Sequence, residues 1–345
     1  MMGMLDWAWR EPQGPHPLYR PTKEKLVPCE HPICASLQAA TATPLRPRCD
    51  FPTDQCDYEV EYADHGSSRG VLVSDAFAVR LLNGSVVRPR LAFGCGYDQQ
   101  LHGAAEASTP TDGVLGLGVG GSGVMAQLRD QGLTRNVIGH CLGRKGGGFL
   151  FFGDELVPAT GVSWTPMSRR GPRKYYSPGP ANLFFGRQLV GRDFEVIFDS
   201  GSSYTYFSSR PYETFLYMMM KDLAGKPLKE AADDRTLPFC WRGSKPFRSI
   251  ADARRYFSPI RLAFPQGNRA LLDIPPESYL VLTKHGNLCL GVLNGTEVGL
   301  KDLNIIGDIS VQDLMVVYDN EREQIGWARA NCDKLPKSAP ALSLL

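Results

Sequence analysis

The chain has 345 residues, enough for two lobes each with its own core. Hydrophobic residues make up 43% and charged residues 21%, the balance of a soluble globular protein. A formal net charge of +2 offers no bulk attraction for nucleic acid, and no apolar run is long enough to cross a membrane as a helix.

With 36 glycines and 26 prolines, the sequence reads as many short strands joined by turns. Residues 1–20 have no clean period. Residues 1–18 lack an apolar core between a basic end and small residues, so they do not read as a secretory signal. A short helical piece is expected within 26–38, after Pro28. Tyr58-Glu-Val-Glu-Tyr62 alternates and then breaks at Ala63-Asp-His-Gly-Ser-Ser. This predicts a hairpin with its tip near His65 and Gly66 and a return strand at 70–75. Strands continue through Phe77-Ala-Val-Arg-Leu-Leu, Val86-Val-Arg-Pro-Arg and Leu91-Ala-Phe-Gly-Cys. Residues 112–118 read as an apolar strand punctuated by glycine, and 124–132 as a short helix ended by Gly132. Two more strands flank the Gly146-Gly-Gly turn. Arg169-Arg-Gly-Pro-Arg-Lys174 reads as a solvated linker. Beyond it, a helix is expected over 211–223 with Ser208 or Ser209 as cap, Met218-Met-Met220 filling core, and a short helix at 250–256. Strands return from 260 to 328, and 334–345 reads as a disordered tail rich in proline, serine and alanine.

Nine cysteines include no Cys-x-x-Cys, and no histidine stands at metal-ligand spacing, so disulfides are expected and no metal. Disulfides imply an oxidising compartment. Two sequons, Asn83-Gly-Ser85 and Asn294-Gly-Thr296, point the same way. The odd cysteine count and the missing leader together suggest a chain that has lost its natural N-terminus.

The chain is organised around Val196-Ile-Phe-Asp199-Ser-Gly-Ser-Ser203. An apolar strand runs into an acid, then into a tight turn of hydroxyl residues and glycine. A lone Asp-Ser-Gly is usually a capped strand end. Here the aromatic Tyr204-to-Phe207 stretch, the helix start after it and the later Leu303-Asn-Ile-Ile-Gly-Asp-Ile309 strand favour a functional acid. A loose repeat is visible: Val114-Leu-Gly in the first half mirrors Ile305-Ile-Gly in the second. No Asp-Thr/Ser-Gly turn precedes the first copy.

These segments resemble the pepsin-like aspartic proteases, and more closely their plant nucellin-like branch. The resemblance rests on the Asp199 turn, Asp112-Gly-Val-Leu-Gly-Leu-Gly118, Glu61-Tyr-Ala-Asp-His-Gly-Ser-Ser-Arg-Gly70, Leu91-Ala-Phe-Gly-Cys-Gly-Tyr97, Gly148-Phe-Leu-Phe-Phe-Gly-Asp154 and Ile305-Ile-Gly-Asp308. It covers about 15–336. It implies an all-β, bilobal fold with a central cleft. The first lobe would span 1–168, incomplete and of the xylanase-inhibitor type; the linker would be 169–174, and a second lobe over 175–333 would carry Asp199. It implies a monomeric aspartic endopeptidase without cofactor, acting on a peptide or protein substrate, in the secretory pathway, outside the cell or in the vacuole. Asp199 would be one of two catalytic aspartates, with Ser200, Gly201 and Ser202 in the substrate-binding turn. Tyr62 and Gly66 would belong to a flap over the cleft, its tip facing Asp199, and Ile305-Ile-Gly would lie beside Asp199. The family carries two Asp-Thr/Ser-Gly turns and this chain carries one. Asp6 lacks both the preceding apolar strand and the following glycine, so it is not read as the second acid. A symmetric dimer sharing one aspartate per chain is disfavoured by the first-lobe sequence already present. The chain is therefore expected to be weakly active or inactive. The alternative is a non-catalytic binding or inhibitor protein on the same fold, as in plant xylanase inhibitors. An Asp-Thr-Gly-Ser turn encoded upstream would decide for enzyme. Spacing and resemblance further suggest the pairs Cys29–Cys34, Cys49–Cys56 and Cys240–Cys289, with Cys95, Cys141 and Cys332 unable to pair completely.

Overall fold

The computed structural model describes residues 17–40, 49–62, 66–100, 112–168, 175–267 and 270–336. Asp6, the hairpin tip at 63–65, the linker at 169–174 and nearly all of the tail lie outside these residues. The fold is mostly β, with a few short helices. The chain divides into two compact units, Met1–Thr134 and Arg135–Leu345.

The first unit is built on a three-stranded antiparallel sheet of Asp57–Glu61, Ser67–Ala76 and Arg90–Gln100. The expected hairpin is present, with Tyr58 opposite Gly70 and Glu61 opposite Ser67. Glycines inside strands usually weaken them unless something must come close. Here that something is the Tyr58 ring. A Cβ at Gly94 would stand 2.7 Å from it, and one at Gly70 would meet it at the same distance as well as overlapping the Cys95 carbonyl oxygen of the paired strand. The Tyr58 hydroxyl lies 3.0 Å from Ser68 Oγ. The helix Val124–Asp130 is clipped to the sheet by Gln127, whose Oε1 accepts from Ala92 N and whose Nε2 donates to Ala92 O, at 2.7 and 2.9 Å.

The cysteines of this unit correct the expected local pairs. Cys29 bonds Cys49 and Cys34 bonds Cys56. Cys34 lies in the helix Pro32–Ala40 and is fully buried, as is Cys56 at the start of the sheet. The helix buries Cys34 against Cys56, so the short loops give way to two interleaved ones with sequence separations of 20 and 22 residues. Cys95 is a free thiol.

A second correction concerns 112–118. This stretch is irregular, with Val114 73% and Leu115 60% exposed. Its counterpart Ile305–Ile306 is a fully buried strand held between Ile197–Phe198 and Thr205–Phe207. An apolar strand needs such neighbours to satisfy its backbone, and 112–118 forms no strand without them.

Among its described residues, the second unit contains three four-stranded sheets and one of five strands. The five-stranded sheet runs Gly148–Phe152, Val137–Leu142, Leu314–Asp319, Gln324–Arg329 and Ser163–Pro166. Cys141 and Cys332 are joined here, and both are buried in its apolar cluster. Cys240 and Cys289 bond across paired strands, as expected. The helix Ser209–Leu223 buries Tyr212, Phe215, Met219 and Leu223, one face at helical spacing. Phe215 meets Phe207 and Phe185 edge-on, and Met219 at 0% exposure fills core as expected.

Candidate active site

Asp199 follows directly on the strand Ile197–Phe198. That strand pairs in parallel with Ile305–Ile306, which pairs in turn with Thr205–Phe207 on its other side. The backbone N–H of Asp199 donates to Ile306 O at 3.1 Å, so the apolar strand lies beside the acid as expected. The turn then holds the carboxylate by both oxygens. Gly201 N donates to Oδ1 and Ser202 Oγ to Oδ2, each at 2.9 Å. Asp199 and Ser202 are half-buried, while Ser200 and Gly201 are exposed. An ionised carboxylate gripped by one amide and one hydroxyl keeps lone pairs free to bind and orient a water.

The turn is locked from behind. Asp308 N donates to Ser202 O at 2.7 Å, and Ile309 N to Ser203 O at 3.2 Å. Thr205 Oγ1 accepts from Gly307 N and lies 2.6 Å from Ser310 Oγ, which donates to Ser278 O. Asn304 ties the strand ends, accepting from Ser208 N and donating to Glu195 O. Sequence reasoning missed Thr205, Ser310 and Asn304. Their signal is a polar residue inside an apolar run, because such groups are buried only with partners. Asp308 accepts from Gln312 Nε2 at 2.6 Å, and burial pushes its carboxyl above the usual range.

Gly307 has no room for a side chain. A Cβ there would overlap the Tyr204 carbonyl and stand 2.6 Å from Ser202 O. Both obstacles are backbone of the Asp199 turn and cannot rotate away. Gly307→Ala is expected to destabilise the second unit by about 1–3 kcal/mol through forced backbone shifts. Urea unfolding checks this, and an unchanged midpoint would show that the turn and strand separate without cost.

Beneath the site, Tyr318 stacks on Tyr176 at 4.1 Å between ring centroids, and His140 Nε2 lies 3.2 Å from the Tyr318 hydroxyl. Tyr176 O accepts from Phe198 N, one residue before the acid. Burial, then Tyr176 and the Asp199 charge, push the Tyr318 hydroxyl far above its usual range. Burial lowers His140 to about 4 from its usual 6.5, and its Nδ1 has no partner. The sign follows from proton uptake. Between these two values the unfolded chain binds a proton that the folded protein refuses. The neutral-histidine contribution is complete above pH 6.5, declines as the pH falls to about 4, and is gone below. A drop of about 3 kcal/mol is expected across this window. Asp75, Asp234 and Glu321, lowered chiefly by hydrogen bonds from Lys25, Thr236 and Arg135, lose their contributions mainly at lower pH. Urea unfolding from pH 4 to 7 is expected to show the slope in the wild type and a shallower one in His140→Gln. Equal slopes would assign it elsewhere.

Tyr62 and Gly66 lie in the first unit, at the end of the hairpin, where Tyr62 N donates to Gly66 O at 2.8 Å. Tyr62 is 39% exposed and Gly66 is buried. The structure thus gathers Asp199, Ser200, Gly201 and Ser202 into one turn, and Tyr62 with Gly66 into one hairpin.

Comparison with known proteins bears on the family and the fold. A family model described as xylanase inhibitor N-terminal matches residues 6–154, and one described as xylanase inhibitor C-terminal matches residues 185–329. An aspartic proteinase of Oryza sativa subsp. japonica is 42% identical over 339 residues, covering 95% of this chain and 81% of the relative. Aspartic proteinase 39 of Arabidopsis thaliana is 26% identical over 330 residues, covering 89% and 62%. The chain therefore belongs to the pepsin-like aspartic proteinase family of plants. Among solved structures, basic 7S globulin from soybean superposes with a TM-score of 0.71 at 17% identity, covering 93% of this chain and 87% of that one. An aspartic proteinase from Irpex lacteus gives 0.61 at 16% identity, covering 80% and 82%. At these identities the likeness is one of fold.

Proposed function

We infer that this chain is built for aspartic-type endopeptidase chemistry on an extended peptide or protein segment, with Asp199 as one member of a water-activating pair. The observation that carries this reading is the Asp199 carboxylate, held by Gly201 N and Ser202 Oγ against the Ile305–Ile306 strand. In aspartic proteases two close carboxylates share one proton, because like charges that near cannot both ionise. The ionised member takes a proton from the attacking water while the neutral one donates to the developing oxyanion. Ser200, Gly201 and Ser202 supply hydroxyls and backbone N–H groups for the peptide. Tyr62 and Gly66 belong to the flap that covers it. Lobes over 1–168 and 175–333, a monomeric state and placement in the nucellin-like branch accompany this reading. The four disulfides and the named plant proteinases support a secretory, extracellular or vacuolar setting.

A second reading, peptide or protein binding without cleavage, is favoured by one observation. Residues 1–345 contain a single Asp-Ser/Thr-Gly turn. The xylanase-inhibitor descriptions of the matching models and the seed-globulin neighbour suit it as well. The deciding experiment is calorimetric titration of the 1–345 protein with a statine-type peptide, whose hydroxyl mimics the attacking water. Binding that weakens at least tenfold in Asp199→Asn supports an Asp199-centred peptide site. Binding indifferent to that change places the peptide elsewhere and favours the second reading.

A further inference from the structure

The two sequons lie in opposite local settings. We propose that Asn83 carries an N-linked oligosaccharide and that Asn294 remains unmodified in the folded protein.

Asn83 stands in the exposed turn between the short strands Val79–Arg80 and Val86–Val87. Its Oδ1 accepts from Ser85 N at 2.9 Å and from Ser85 Oγ at 2.7 Å. The carbonyl side of the amide is thereby anchored, while Nδ2 donates to nothing among the described residues. The space around it is open: at Gly84, φ is +84° and a Cβ would meet nothing within 4 Å. The surface beside the turn also suits a sugar. Leu81, Leu82 and Val86 are 36%, 56% and 47% exposed on one small hairpin. Apolar side chains clustered so openly favour a cover, and the apolar faces of pyranose rings provide one.

Asn294 has the same sequence signal and the opposite geometry. It is half-buried at the end of the strand Val292–Asn294. Its Nδ2 donates to Glu297 Oε1 at 2.9 Å, and its Oδ1 accepts from Ser209 Oγ and Thr296 N. The sequon hydroxyl is committed too, since Thr296 Oγ1 donates to Lys301 O and accepts from Ser209 N. Gly295 is buried, and a Cβ there would meet Tyr206 and Leu300 at 3.4–3.5 Å. A sugar on Asn294 Nδ2 would displace Glu297 and disturb the start of the helix Ser209–Leu223. This sequon is a structural clasp.

The donor is an oligosaccharide carried on a lipid diphosphate, the substrate class of an oxidising secretory compartment. Asn83 Nδ2 forms a bond to the anomeric carbon. The bond from that carbon to the diphosphate oxygen breaks, the lipid diphosphate leaves with the electron pair, and Nδ2 gives up one proton. No oxidant or reductant enters.

The test is cell-free translation of the full chain behind a secretion signal, with microsomes, read in the protease-protected fraction. That fraction has crossed the membrane whether or not a glycan is attached. The wild type is expected to show one glycosidase-sensitive mobility step. Asn83→Gln and Ser85→Ala should each lose it, and Asn294→Gln should keep it. Glycopeptide mapping of the wild type secreted from insect cells should find Asn83 occupied and Asn294 free, so a variant that fails to fold leaves the answer intact. An unmodified Asn83 in the protected fraction would overturn the proposal. A glycan on Asn294 in secreted, disulfide-bonded protein would overturn its second half.

Discussion

Purified 1–345 protein is expected to cleave a quenched peptide no faster than its Asp199→Asn variant, from acid to neutral pH. Both Asp199 oxygens are held in place by Gly201 N and Ser202 Oγ, so the carboxylate is positioned to bind a water. Binding is half of the chemistry. The carbonyl oxygen of the substrate needs a proton donor in the transition state, and the sequence provides no second acid in a matching turn. Without a like-charged neighbour, the proton-sharing that makes one acid and one base from two aspartates is absent. General acid–base assistance contributes roughly 10²–10⁴-fold, and orientation of the water between two acids adds more. A loss of that size puts turnover at background. The measurement is a fluorescence assay with both proteins and a transition-state-mimicking inhibitor. Robust turnover that is blocked by the inhibitor and lost in Asp199→Asn would refute the expectation. It would mean that another carboxylate, Asp6 being one to test by mutation, completes the pair.

What the sequence displayed of this site, and what it hid, follows from the range of the interactions. The Asp199 turn was legible because its determinants are consecutive: an apolar strand, an acid, a small hydroxyl and a glycine. The 58–62 hairpin was legible because alternation and its break are local. The strand 305–306 was placed beside Asp199 from a repeat and a family resemblance. The polar clasp of Thr205, Ser310 and Asn304 stayed hidden, because each bond joins residues about 32 to 109 positions apart. The 112–118 segment departs from the strand its pattern predicts for the converse reason. Its pattern is that of a buried strand, but burial is conferred by neighbours, and Val114 and Leu115 are exposed. Proximity in sequence does not give the cysteine pairs of the first unit. Cys34 sits on a helix that turns it toward Cys56, and nothing in the interval 29–34 announces that direction.

The disulfide between Cys141 and Cys332 is expected to matter most for stability. It closes a sequence separation of 191 residues, against 49 for Cys240–Cys289. In the chain-entropy account, the restriction of the unfolded state grows with the logarithm of the loop, and a loop this long is worth roughly 5 kcal/mol. Measured losses for native disulfides run at about 2–5 kcal/mol. For a unit of this size that is a fall in Tm of roughly 5–15 °C. The sulfurs also fill core. Cys141 is 0% exposed and Cys332 3%, packed with Val137, Phe151, Leu156, Met315 and Val317. Cys240 and Cys289 are buried as deeply, at 3% and 0%, so deleting either pair leaves a similar void. The comparison of the two double variants therefore isolates loop length. Cys141→Ala/Cys332→Ala should be the less stable by about 1 kcal/mol, the logarithmic difference between the two loops. Urea unfolding of both, under non-reducing conditions, gives the answer. If removing the shorter loop costs as much or more, the long disulfide acts through native packing, and the chain-entropy ranking fails for this fold.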